Sequence, residues 1–121
     1  MNAQHHELVL IADQESHTGK QAFAFAKSLT DAVIWQNPSS MTFSSTYLKT
    51  ILNKLKMSAK DLLNKADPGY QAIIKGSDLS DEDWLNVLKN NMHLLKAPIA
   101  LFKDKAVLCN PPSLIYTINS N

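Results

Sequence analysis

Ile99-Ala100-Leu101-Phe102, Lys103-Asp104-Lys105 and Ala106-Val107-Leu108-Cys109 form the stretch whose reading decides the fold. Two short apolar runs, rich in residues that suit a pleated surface, flank three charged residues. That pattern predicts an antiparallel hairpin with a tight polar turn. Pro111-Pro112 ends the second strand, and Ser113 to Ile118 reads as a brief terminal helix.

Working outward, the N-terminal part supplies the other half of a sheet. Leu8-Val9-Leu10-Ile11-Ala12 is a compact apolar run of the length of a buried strand. From Ser16 to Leu29 the apolar period changes: Ala22, Phe23, Ala26 and Leu29 recur at helical spacing, with Ser16 or Thr18 able to cap the start. Ala32-Val33-Ile34-Trp35 reads as a second strand. Strand, helix, strand in so short a space predicts a βαβ unit with parallel pairing.

Between these halves the period is helical. After the loop Asn37-Pro38-Ser39-Ser40, Ser44 caps a helix carrying Tyr47, Leu48, Ile51, Leu52 and Leu55. Ser58 to Asp61 predicts another helix start, a capping box with aspartate in the usual glutamate position, with Leu62 and Leu63 as its apolar residues. Asp67-Pro68 opens a short helix with Tyr70, Ile73 and Ile74, ending at Gly76. Ser80-Asp81-Glu82-Asp83 starts a further helix whose core face is Trp84, Leu85, Val87 and Leu88. The expected fold is therefore α/β and thioredoxin-like: a βαβ half and a ββα half, a mixed four-stranded sheet, and a helical insertion at about residues 44–92, all within a single domain of residues 1–121.

Composition narrows the function classes. With 121 residues, 45% of them hydrophobic, the chain can bury a core without metal or disulfide staples. A net charge of +1 without a basic stripe argues against nucleic acid as a direct partner. One cysteine, Cys109, excludes an internal disulfide and suits a reducing compartment. Residues 1–7 lack the apolar core of a secretory signal, and no apolar run approaches the ~20 residues of a membrane helix. A soluble cytoplasmic protein without membrane contact is expected. His5, His6, His17 and His93 show no metal-ligand spacing, so no metal is expected.

Three segments carry a resemblance to a known family: Met57-Ser58-Ala59-Lys60-Asp61-Leu62-Leu63-Asn64-Lys65, Leu79 to Leu85, and Met92-His93-Leu94-Leu95-Lys96-Ala97-Pro98-Ile99 followed by Lys105 to Pro112. Over about Leu48 to Pro112 the chain resembles the arsenate reductases and the Spx regulators of the glutaredoxin/thioredoxin superfamily. The resemblance implies an active loop between the first strand and first helix, here Asp13-Gln14-Glu15-Ser16-His17-Thr18-Gly19-Lys20. It puts Ser16, or His17 with a one-residue shift, where arsenate reductases carry the nucleophilic cysteine. Their three anion-binding arginines fall at Asn64, Ala97 and Asn110. Pro98 matches the proline that thioredoxin-like domains keep in cis beside the active loop, where the backbone of residue 97 pairs with a bound peptide or thiol ligand.

A hydroxyl cannot replace a thiolate in arsenate reduction, which needs sulfur redox chemistry. The paired cysteines of Spx-type sensing are absent as well. No catalytic residue is therefore assigned and no cofactor expected. The reading is a non-catalytic binding or regulatory domain, a pseudoenzyme with a protein partner. Two alternatives stand beside it: a glutathione- and glutaredoxin-dependent oxidoreductase with a non-standard site, in which Cys109 would work with glutathione as co-substrate, and a module binding a small anion or thiol ligand through Ser16, His17, Thr18, Gly19, Lys20 and Pro98. Against these, Cys109 reads as a buried small hydrophobe, and Ser16 or Thr18 as a simple cap over a solvated Lys20.

Overall fold

The computed structural model describes residues 7–74 and 78–119. His5, His6 and the helix end expected at Gly76 lie outside the described residues. The chain divides into two compact units, Met1–Asn37 with Ala97–Asn121, and Pro38–Lys96.

The first unit is built on a four-stranded sheet of order β2-β1-β3-β4. Its strands are β1 (Leu8–Ile11), β2 (Val33–Gln36), β3 (Ile99–Phe102) and β4 (Lys105–Leu108). The helix α1 (His17–Leu29) joins β1 to β2, which pair in parallel, while β3 pairs antiparallel with both β1 and β4. This is the mixed sheet of a thioredoxin-like βαβ and ββα arrangement. Its register runs in four rows: Val33-Leu8-Phe102-Lys105, Ile34-Val9-Leu101-Ala106, Trp35-Leu10-Ala100-Val107 and Gln36-Ile11-Ile99-Leu108. Side chains alternate across the pleat, so the first and third rows share one face. On that face Leu8, Leu10 and Ala100 join Ala22 and Ala26 of α1 and Ile115 in one buried cluster. Ile115 belongs to the terminal helix, Pro112–Asn119, which is a 3-10 helix. Phe25 of α1 meets Tyr116 with ring centroids 5.2 Å apart.

Three strands differ from the expectation by one residue, and β1 ends at Ile11 rather than Ala12. β2 runs Val33–Gln36 rather than Ala32–Trp35, and Leu8 N–H donates to the Ala32 carbonyl at its entrance. β4 runs Lys105–Leu108 rather than Ala106–Cys109. The hairpin turn holds only Lys103 and Asp104, since Phe102 pairs directly with Lys105. Lys103 takes φ 57°, the sign that hairpin-compatible turns require.

The second unit is helical: α2 (Ser45–Leu55), α3 (Pro68–Ile74), α4 (Asp81–Asn90) and a 3-10 turn at Met92–Leu94. Ser44 caps α2, its hydroxyl accepting from Tyr47 N–H at 3.0 Å. Ser80 and Asp83 form a reciprocal capping box on α4. Trp84 of α4 is buried and stacks at 6.2 Å on Tyr70 of α3.

The helix expected from Ser58 does not form. Its first step is present, for Ser58 Oγ accepts from Asp61 N–H at 3.2 Å. Beyond that turn the backbone is claimed by another partner. Leu63 bridges Leu95, Asn64 N–H donates to Leu94 at 2.7 Å, and Lys96 N–H donates to Leu62 at 2.8 Å. This extended pairing uses groups that a helix would have used internally, and it buries Leu62 and Leu63 completely.

Candidate functional site

The register brings several sequence-predicted residues of the first unit to one end of its sheet. Ile11 closes β1 opposite Ile99, and Ile99 pairs on its other side with Leu108. The loop after Ile11, the Ala97-Pro98 peptide before Ile99 and the Cys109-Asn110 segment after Leu108 therefore leave the sheet at the same end. The Ala97-Pro98 bond is cis, as the resemblance implies, and so is Asn110-Pro111. Pro98 is buried, and its carbonyl accepts from Cys109 N–H at 2.8 Å. Asn64 belongs to the other unit, where it is exposed.

The loop is locally closed. Ser16 is the N-cap of α1: its hydroxyl oxygen accepts from Gly19 N–H at 2.9 Å, while its own proton goes to the Asp13 carbonyl at 3.0 Å. Asp13 also turns the loop, its carboxylate accepting from Glu15 N–H at 2.9 Å. Gly19 is required by this packing. A Cβ there would overlap the Asp13 carbonyl oxygen and stand 2.8 Å from Ser16 Oγ. Thr18, the other capping candidate, is exposed, as are His17 and Lys20.

This geometry limits what the loop can do chemically. The Ser16 hydroxyl is engaged as both donor and acceptor, and among the described residues no imidazole stands within hydrogen-bond reach to activate it. His17 follows it in sequence but projects to solvent. The loop carries two carboxylates, Asp13 and Glu15, against the one ammonium of Lys20. That balance opposes an oxyanion rather than holding it. None of the 121 residues is arginine, so no guanidinium can be recruited from elsewhere in the chain for the bidentate grip that oxyanion sites use.

Cys109 lies one residue beyond β4 and is fully buried. Burial pushes its thiol up to about 12, far from the range in which a thiolate forms at neutral pH. Its Sγ lies 3.6 Å from the Val107 carbonyl oxygen. The sulfur thus occupies the core as a small apolar group.

Trp35, expected as a partly buried strand residue, has a role at the loop that the sequence does not show. Trp35 stacks on Phe23 at 4.4 Å and donates its indole N–H to the Ala12 carbonyl at 2.9 Å, at the point where β1 becomes the loop. No sequence signal marks a bond between positions this far apart. The carboxylate of Asp13, by contrast, sits in a spacing typical of turns closed by their own aspartate.

Among the described residues, no group of three or more His, Cys, Asp or Glu is placed to hold a metal ion, and no helix is long and apolar enough to cross a membrane.

Solved structures share this fold. An arsenate reductase from Vibrio cholerae aligns with a TM-score of 0.81 at 17% identity, covering 93% of this chain and 97% of its own. A Yersinia pestis protein provisionally named an arsenate reductase gives 0.85 at 17% identity, covering 92% and 99%. A protein from Staphylococcus aureus, SACOL0876, gives 0.70 at 23% identity, covering 84% and 88%. At these identities the likeness establishes the fold. No protein-family model matches the chain, and no curated protein matches its sequence.

Proposed function

We propose that the chain is a divergent relative of the arsenate reductases and Spx regulators that has lost arsenate reduction and serves as a non-catalytic binding or regulatory domain for a protein partner. The observation that carries this is the loop after β1. It holds no thiol, its one hydroxyl candidate is spent as a helix cap, and the chain's single cysteine is buried with its proton held on. The absence of arginine from all 121 residues adds to it, because an oxyanion substrate would find no bidentate guanidinium partner.

The same end of the sheet suits a protein better than a small anion. His17, Thr18 and Lys20 are exposed beside Asp13 and Glu15, giving a polar surface of mixed sign, the character of an interface rim. Ser16, Gly19 and Pro98 act beneath it as the frame that holds this surface in place. A lone buried thiol fits work in the reducing cytoplasm.

The test is a coupled NADPH-oxidation assay with arsenate, glutathione and glutaredoxin, run on the wild type and on Cys109→Ser. Both are expected to match the protein-free blank. Turnover by the wild type would overturn the reading, and its loss in Cys109→Ser would make the buried thiol the working group. Affinity capture from a lysate of the source organism tests the positive half. The wild type is expected to retain a partner that His17→Glu/Lys20→Glu loses, and equal retention by both would remove the partner from this surface.

A further inference from the structure

The second unit holds an open cavity of about 410 Å³ between the loop at residues 38–42 and the end of α4. The loop forms one wall, and the last turn of α4 with the 3-10 turn Met92–Leu94 forms the other. Both walls are anchored. Pro38 and Phe43 bracket the loop and are buried, and Phe43 stacks on Tyr47 at 5.5 Å. Opposite, Met92 is buried, and Asn91 closes the helix end: its backbone N–H donates to the Leu88 carbonyl and its side-chain amide to the Val87 carbonyl at 2.8 Å. A ligand would meet a surface already in place.

The chemistry of this cavity is one-sided. Thr42, Lys89, Asn90 and His93 line it, and all four are exposed. Among the described residues, none of these side chains has a hydrogen-bond or ion-pair partner within the chain. Each can donate: a hydroxyl, an ammonium, an amide and an imidazole N–H. No carboxylate lines the cavity. The carbonyls of Val87 and Leu88, which would add negative charge at this helix end, are occupied by Asn91. Such a set selects an anion with several acceptor oxygens. A phosphate monoester supplies three of them and close to two negative charges. A phosphate group alone fills only a fraction of the volume. Pro38, Met92 and the exposed Met41 line the remainder, and thioethers pack well against aromatic rings.

We propose that this cavity binds a small phosphate monoester with an aromatic body. Lys89 provides the point charge, Thr42, Asn90 and His93 donate to the phosphate oxygens, and Met41 and Met92 face the ring. Lysine serves here without arginine because the grip comes from several single donors rather than one bidentate fork. The site lies in the helical unit and is independent of the reading of the loop after β1.

Titration of the intact, isotope-labelled chain with phenyl phosphate, inorganic phosphate and phenol, followed by amide chemical shifts, tests the proposal. Phenyl phosphate is expected to move the amides of residues 39–42 and 89–93, to bind about tenfold more tightly than inorganic phosphate, and to leave phenol far behind. Lys89→Glu abolishes the binding, and Thr42→Val and His93→Leu each weaken it severalfold. Lys103→Glu, the same charge change in the other unit, leaves it unchanged. All four positions are exposed, and unchanged thermal melting of each variant confirms an intact fold. Shifts absent from these residues overturn the proposal. So does equal affinity for phenyl phosphate and inorganic phosphate, or a loss in Lys103→Glu as large as in Lys89→Glu, which would mark a general effect of net charge.

Discussion

The indole N–H of Trp35 donates to the carbonyl oxygen of Ala12 at 2.9 Å. This bond joins the edge strand β2 to the last residue before the loop, and the Phe23 ring, 4.4 Å away, holds the indole in position. Phenylalanine at position 35 would keep the stack and leave the Ala12 carbonyl without its donor. Trp35→Phe is expected to lower stability by about 1–2 kcal/mol, read from urea denaturation at an unchanged m-value. A loss no larger than that of an ordinary surface substitution would mean that water replaces the indole.

Gly19→Ala tests the loop's closure. Alanine is the better helix former, and on propensity alone the change would stabilise by about 1 kcal/mol. At this position the new methyl meets the Asp13 carbonyl, a backbone atom that cannot swing away, and the Ser16 hydroxyl. The clash is expected to dominate, for a net loss of about 1–2 kcal/mol. A stabilised variant would show that the loop can move off the helix start.

Lys56 offers the opposite sign. It caps the C-terminus of α2 at φ 58° and ψ 42°, the left-handed region in which a Cβ is crowded. Its N–H and that of Met57 reach back to the carbonyls of Asn53 and Leu52, the pattern that glycine usually completes. Lys56→Gly is expected to raise stability by about 0.5 kcal/mol, the relief of strain less the entropy that glycine adds to the unfolded chain. Thermal melting against the wild type checks the sign.

Cys109 makes the alkaline limb of stability informative. Its thiol has an ordinary value of 9.0 and is pushed to about 12 by burial. The folded state therefore holds the proton that the unfolded state releases first. The stability tied to this group is whole below about pH 9 and is lost as pH rises toward 12. Cys109→Ala is expected to flatten that fall relative to the wild type, with other alkaline titrations common to both. In the native protein the thiol should resist Ellman's reagent at pH 8 and react fully once unfolded. Fast native labelling would show that the sulfur reaches solvent.

The sequence by itself carried the parts whose physics is local. The alternation and turn chemistry around Lys103 mark the hairpin. The run Leu8–Ile11, the helical period of α1 and the apolar residues of β2 mark the βαβ half, and Ser44 and Ser80 mark helix starts with hydroxyls that do cap. The missing thiol in the loop is likewise a matter of composition. Tertiary structure decided what depends on distant partners. Ser58 has a cap's chemistry and forms the cap's hydrogen bond, yet no helix follows, because Leu94, Leu95 and Lys96 supply the backbone pairing for residues 62–64. Ser16 is legible as a cap, but that its hydroxyl is engaged in both directions depends on where the Asp13 carbonyl lies. Burial of Cys109 and the hold of Trp35 on Ala12 both arise when strands far apart in the chain take one register. Periodicity assigns a side chain to a face, and only the assembled sheet determines whether that face is covered.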